Sequence, residues 1–161
     1  MRLVVRRGRA SDATEFLRLL VELSRFEKLP GPTPAAKKRI LEDVFAKRRV
    51  RLIVAVGGRK VVGYALYFFS YSSFLALPTL YVEDVFVSEE SRLGGVGSAL
   101  FRRCALEAMK AGCGRMEWCV LDWNKKAIGF YEAAGARKLD EWRLFRLNED
   151  GIARLAKKPQ K

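Results

Sequence analysis

The chain has no histidine, and only three of its 161 residues are cysteine. The first absence removes every Ser-His, Cys-His or histidine-base mechanism. Acid and base duties therefore fall to Glu, Asp, Tyr, Lys or Cys. Cys104, Cys113 and Cys119 are an odd set without paired spacing, which speaks against a disulfide framework. With no imidazole and no Cys-x-x-Cys, a metal centre is not expected either. Side-chain amides are confined to Asn124, Asn148 and Gln160, and scarce thermolabile amides among many charges match a heat-adapted composition. Acidic residues are in short supply as well: 18 stand against 31 Lys and Arg, a net charge of +13. Such a surface attracts phosphates and nucleic acid, and it repels cationic amines at long range. No apolar run reaches the roughly 18–20 residues of a membrane span, and the basic start MRLVVRRGRASD carries no secretory pattern. The expectation is a cytoplasmic protein that does not enter a membrane.

What is present reads as one domain over residues 1–161, without repeats, low-complexity tracts or a long linker. Leu3 to Arg6 is a short β-branched run. Ser11 fits an N-cap, with Asp12 and Glu15 in the first turn and Phe16, Leu19, Leu20 and Leu23 at helical spacing. Leu-Pro-Gly-Pro at 29–32 breaks that helix, and Thr33-Pro34 starts another, with Ile40, Leu41, Val44 and Phe45 inward. Apolar runs at 50–56 and 61–69 joined through Gly57-Gly58 predict an antiparallel hairpin. A Ser-rich loop around Tyr71 leads to a third run at 80–87. The spacing then predicts a helix over 97–111, a strand over 116–121, a short helix over 125–134 and a final strand over 142–147. The order β-α-α-β-β-β-α-β-α-β implies an α/β fold with one mixed sheet and helices on both faces.

The segment Ser91-Arg92-Leu93-Gly94-Gly95-Val96-Gly97-Ser98 lies between a predicted strand and a predicted helix. Glycines let the backbone turn its amides toward one point, and the following helix adds partial positive charge. Together these form a diphosphate cradle. A Walker A loop is excluded because Gly-Lys-Ser/Thr is missing, and a dinucleotide fold because antiparallel strands precede an Arg-x-x-Gly-x-Gly spacing.

In that spacing the chain resembles the GNAT acetyltransferase superfamily, whose acetyl-CoA loop reads Gln/Arg-x-x-Gly-x-Gly/Ala. Arg92, Gly95 and Gly97 fill it. More narrowly it resembles the diamine acetyltransferase branch, the spermidine/spermine and thialysine enzymes. Phe26-Glu27-Lys28-Leu29, Tyr81-Val82-Glu83-Asp84-Val85-Phe86-Val87, Leu121-Asp122-Trp123-Asn124, Phe130-Tyr131-Glu132, Gly135-Ala136 and Trp142-Arg143-Leu144-Phe145 follow that branch in order across nearly the whole chain.

The resemblance implies a single GNAT-like domain with a mostly antiparallel twisted sheet and a splayed cleft for acetyl-CoA. It makes Tyr131 the general acid at the coenzyme sulfur and Glu83 the base acting through water. Adjacent strand residues point to opposite faces, so Asp84 reads as a structural hydrogen-bond acceptor unless a bulge intervenes. Coenzyme contacts are implied for Val85, Phe86, Val87, Arg92, Leu93, Gly94, Gly95, Val96, Gly97, Ser98, Asn124, Lys125, Lys126, Ala127 and Tyr131. The amine pocket is implied near Phe26, Glu27, Glu83, Glu117, Trp118, Cys119 and Asp140, and a homodimer is implied as well.

The chain departs from the polyamine enzymes in one respect. They carry an acid after the loop tyrosine, whereas Tyr71 is followed by Ser72, as in thialysine-type relatives. This shifts the expected acceptor toward a smaller diamine or a lysine-like side chain. Rival readings are a protein lysine or N-terminal acetyltransferase, a coenzyme A-binding regulator, and a basic nucleic-acid-binding protein. The last is disfavoured, since Lys37-Lys38-Arg39 and Lys47-Arg48-Arg49 read as solvated faces.

Overall fold

The computed structural model describes residues 3–158. The chain divides into two compact units, Met1–Cys119 and Val120–Lys161. The first carries β1 (Leu3–Arg7), α1 (Ala13–Phe26), α2 (Pro34–Leu41), β2 (Arg51–Gly57), β3 (Lys60–Ser72), β4 (Leu77–Val87), α3 (Val96–Lys110) and β5 (Arg115–Trp118). The sheet order is β1-β2-β3-β4-β5, antiparallel up to β4, with β5 parallel to β4. A parallel neighbour needs a crossover rather than a hairpin, and α3 is that crossover.

Alternation along the strands builds two cores. In β2 and β3, Leu52, Val54, Tyr64 and Leu66 join Phe16, Leu19 and Leu23 of α1 on one face. Their neighbours Ile53, Ala55, Ala65 and Tyr67 join Val96, Leu100 and Cys104 of α3 on the other. Helices thus lie on both faces, as the sequence order implies. Val44 is buried on the α1 side, in a π-helical turn (Glu42–Ala46) that continues α2.

The helix starts show how local chemistry sets boundaries. The Thr33 hydroxyl accepts from the Ala36 amide at 3.2 Å, with Pro34 at the first helical position. At α1 the residue at the N-cap is Asp12 rather than the expected Ser11, and its side chain turns back onto the preceding segment instead of capping the helix. Its carboxylate accepts from the Arg9 amide at 2.7 Å and from the Arg6 guanidinium at 2.7 and 2.9 Å.

In the second unit, α4 (Lys125–Ala133) is capped by Asn124, whose side-chain oxygen accepts from the Ala127 amide at 3.2 Å. Helix α5 (Glu149–Ala156), absent from the sequence expectation, is capped in the same way by Asn148 on Gly151 at 2.9 Å. The predicted strand at 142–147 is not one. Trp142, Leu144, Phe145 and Leu147 are exposed, and no strand among the described residues pairs with them. An aromatic-rich run has strand propensity, but a strand exists only where a neighbour accepts its hydrogen bonds. The predicted strand at 116–121 likewise shortens to Arg115–Trp118. Among the described residues no helix is long and apolar enough to cross a membrane.

Leu100 is fully buried at the centre of the α3-side core. Leu100→Ala should destabilise the fold by about 2–5 kcal/mol, read from the midpoint of urea denaturation; an unchanged midpoint would show that this core does not carry the sheet.

Candidate active site

The pairing of β3 with β4 slips in the middle of β4. Leu66 lies opposite Asp84 and Tyr67 opposite Val82, so Glu83 has no partner on β3. This is a β-bulge, one extra residue on one strand. Its effect on side-chain direction is visible in the cores: Leu80 and Val82 face α3, while Phe86, of the same parity, lies in the α1-side core. The bulge therefore intervenes between Glu83 and Asp84 and frees the pair from strict alternation. On its other edge β4 pairs with β5 only from Thr79↔Arg115 to Val82↔Trp118. Beyond Val82, the backbone from Glu83 to Val87 has no strand on that side among the described residues.

Glu83 is exposed, and Asp84 is more covered. Burial, then the charge of Glu83, raises the Asp84 carboxyl to about 7, although a hydrogen bond from the Tyr64 hydroxyl at 3.3 Å works the other way. Asp84 is thus the structural acceptor expected for it, and it also changes charge near neutral pH. Burial, followed by the charge of Asp84, lifts the fully buried Tyr64 phenol well above its ordinary value. Burial also raises Glu27, which caps the end of α1 and whose charge is felt at Asp84 and Tyr64. Glu27, Glu83 and Asp84 form one acidic region on a basic protein.

Beyond β4 the chain enters the glycine turn. Gly95, with φ of 74°, sits at the N-cap of α3, and a side chain added there would meet nothing within 4 Å. The left-handed backbone, not crowding, is what calls for glycine at this position. Leu93 adopts a left-handed φ of 68° with its side chain fully exposed. Gly94 lies in the turn, and Val96, Gly97 and Ser98 form the first turn of α3, whose leading amides lack intrahelical acceptors. A cavity of about 260 Å³ lies against this turn, lined by Arg92, Gly94 and Val96 together with Leu3, Val62, Ser91 and the acidic Glu90. Free amides, an open glycine and a helix start suit a diphosphate. Arg92 does not point into open space: its Nε donates to the Val87 carbonyl at 3.2 Å, and its guanidinium lies 4.9 Å from the Phe26 ring centre and 5.6 Å from that of Phe86. Val85 and Val87 are half-buried and Phe86 is buried.

The residues expected around the amine divide by place. Phe26 ends α1 and is partly exposed. Glu117 and Trp118 stand on β5 opposite Tyr81 and Val82. Glu117 pairs with Arg115 at 2.9 Å, and Trp118 meets Phe101 edge-on at 4.7 Å. The Tyr81 hydroxyl donates to Cys119 Sγ at 3.2 Å. That hydrogen bond, then burial, pushes the Tyr81 phenol up, with Glu83 and Glu117 adding to it. The sequence reading named Tyr64 and Tyr81 in no role. Tyr81 stands in the same motif as Glu83, which was the available signal; Tyr64 had none beyond strand alternation. Ser72, which replaces the acid of polyamine enzymes, is buried, and its hydroxyl accepts from the Leu75 amide at 3.3 Å to hold the β3–β4 turn.

In the second unit Asn124, Lys125, Lys126 and Ala127 make the cap and first turn of α4, with both lysines exposed. Tyr131 is half-buried on the same helix, and burial raises its phenol. Asp140 is exposed and ion-paired to Lys138 at 2.8 Å.

The profile of the Acetyltransferase (GNAT) family matches residues 15–136. Thialysine N-epsilon-acetyltransferase of Bos taurus is 34% identical over 167 residues, covering 96% of this chain and 98% of its own. L-ornithine N5-acetyltransferase NATA1 of Arabidopsis thaliana is 46% identical over 97 residues, covering 60% of this chain and 42% of the relative. Among solved structures, an integron cassette protein from the mobile metagenome of V. cholerae superposes with a TM-score of 0.81 at 27% identity, covering 98% of this chain and 99% of the other. The bulged strand, the glycine turn at the start of α3 and these likenesses lead to one conclusion: the chain belongs to the GNAT acetyltransferase family, in its diamine acetyltransferase branch, and is an N-acetyltransferase.

Proposed function

We propose that residues 1–161 act as one domain that moves acetyl directly from acetyl-CoA to a primary amine of a small diamine, polyamine or lysine-like acceptor of the thialysine type. The observation that carries this reading is the bulge at Glu83, which leaves a carboxylate unpaired where the open edge of β4 begins. The names of similar relatives, acetyltransferases for thialysine and L-ornithine, support an amine on a short amino-acid side chain.

Acetyl-CoA supplies an acetyl group activated as a thioester. The chain has to hold it, take a proton from the acceptor ammonium and return one to the departing sulfur. Backbone amides of Leu93 to Ser98, with Arg92, hold the diphosphate. Val85 to Val87 receive the pantetheine arm along the free strand edge, as an added strand would bind. Asn124, Lys125, Lys126 and Ala127 contact the coenzyme from the start of α4. Glu83 takes the ammonium proton through water. Tyr131, kept protonated by its raised phenol, gives a proton to sulfur. Glu27, Glu83 and Glu117 draw in a cation that the net charge of +13 would otherwise repel. Phe26, Trp118 and Cys119 complete the acceptor pocket on the first unit. The enzyme works as a cytoplasmic homodimer.

An acceptor screen with acetyl-CoA tests this reading: thialysine, lysine, ornithine and short diamines should outpace spermine and peptides. Acetylation confined to peptides would reject it. Tyr131→Phe should lower kcat by about 10²–10⁴-fold with acetyl-CoA affinity nearly unchanged; a variant with full turnover removes the acid assignment. Glu83→Gln should lose most activity at neutral pH and less as pH rises, because the amine then deprotonates unaided. A pH–rate profile of unchanged shape would contradict that role.

Asp84 makes a prediction about stability. Its folded carboxyl titrates at about 7, above the ordinary aspartate value near 4. The folded chain therefore binds the extra proton through that window, and its stability falls as pH rises across it. Asp84→Asn should flatten the fall, measured as Tm between pH 4.5 and 7.5 (about the two ends of the window). An unchanged slope would place the titration elsewhere.

A further inference from the structure

The end of the sheet away from the glycine turn holds a second cationic feature. Val87, before that turn, lies beside Gly63, and Gly63 beside Ala55. Arg51 stands four residues further along β2, opposite Tyr67, which is roughly 13 Å along the strand at 3.3 Å per residue. Here a cavity of about 330 Å³ is bordered by Arg7, Arg9, Arg48 and Arg51. Apolar side chains, Val44, Phe45 and Leu52 among them, share its walls with the arginines, and no carboxylate lines it.

These arginines differ from the others nearby. Lys47 is paired with Glu42 at 2.9 Å, and Arg49 lies 3.7 Å from Asp43. Arg48, between them, has no ion pair among the described residues; neither do Arg9 and Arg51. The guanidinium of Arg51 instead lies 5.8 Å from the Phe69 ring centre. Arg7 is held at the mouth by Glu107, which is buried and accepts from Arg7 at 2.7 Å, while its other oxygen accepts from Arg103 at 2.7 Å. Arg48 adopts a left-handed φ of 54°, a conformation that side-chain-bearing residues avoid. Three arginines without an ion pair among the described residues, Arg9 from one segment and Arg48 and Arg51 from another, thus border one recess, beside a fourth fixed by a buried acid. Like charges gathered without a counter-ion repel, and a bound oxyanion removes that repulsion through forked hydrogen bonds.

We propose that this recess is a binding site for a small, multiply charged phosphate, separate from the coenzyme turn. The apolar walls accommodate the body of a phosphate ester, and the arginines alone would hold the inorganic ion. A recess of this size suits a small anion, whereas nucleic acid takes a continuous basic stripe.

The test is calorimetric titration of the full chain with pyrophosphate and with phenyl phosphate, at a constant ionic strength of about 0.15 M. Both the wild type and Arg92→Ala should bind, because Arg92 belongs to the other end of the sheet. The double variant Arg48→Ala/Arg51→Ala should bind at least about tenfold more weakly, and Arg9→Ala, on a different segment, should be weakened as well. Tighter phenyl phosphate binding that Phe45→Ala reduces identifies an ester; tighter pyrophosphate binding identifies the inorganic ion. The proposal is overturned if neither probe binds at millimolar concentration. It is also overturned if the double variant and Arg9→Ala bind as the wild type does, or if Arg92→Ala alone abolishes binding.

Discussion

Strand β4 must serve two incompatible demands, and one inserted residue reconciles them. Its first half places Leu80 and Val82 on the α3 face, and its second half has to bury Phe86 on the α1 face. Strict period-2 alternation forbids both at once. The slip at Glu83 changes parity between the halves, and it does so where the hydrogen-bonded ladder to β5 has just ended. The same irregularity therefore satisfies both cores, opens one strand edge and leaves a carboxylate without a cross-strand partner. Packing and chemistry are coupled at this residue because a bulge alters all three together.

The electrostatic layout follows from that geometry. A chain with 31 basic and 18 acidic residues would be expected to spread its acids among its cations, and among the described residues eight of the acids are so paired. Glu107 is held below its ordinary value: burial alone would raise it, but hydrogen bonds from Arg7 and Arg103 outweigh that. Asp84 has only a phenol for a partner, so burial prevails and its carboxyl rises. Two covered acids, Glu107 on α3 and Asp84 on β4, thus move in opposite directions according to whether a guanidinium reaches them. The acid region beside the bulge has the sign needed to receive an amine, and the turn before α3 has the sign needed for a phosphate.

Backbone strain is also present in that turn. Leu93 holds a left-handed backbone at a cost of roughly 1–2 kcal/mol with no burial to offset it, since its side chain is fully exposed. Gly95 adopts a similar conformation without that penalty. Arg92 is meanwhile anchored on the Val87 carbonyl and two aromatic rings. The turn is thus tied to the end of β4 by its arginine, at the start of α3.

The sequence alone determined those features that depend on local chemistry: the β2–β3 hairpin through Gly57-Gly58, the Thr33-Pro34 and Asn124 helix starts, and the glycine turn before α3. It also carried the family, because its motifs recur in order along the chain. Tertiary structure alone decided which strands exist and where their registers slip. The run 142–147 has the composition of a strand without a partner among the described residues, and helix α5 follows it where no helix was expected. The roles of Tyr64 at Asp84 and Tyr81 at Cys119, and the gathering of arginines 7, 9, 48 and 51, join residues distant in sequence. Pairing and burial are non-local quantities, so periodicity and propensity within one segment do not encode them.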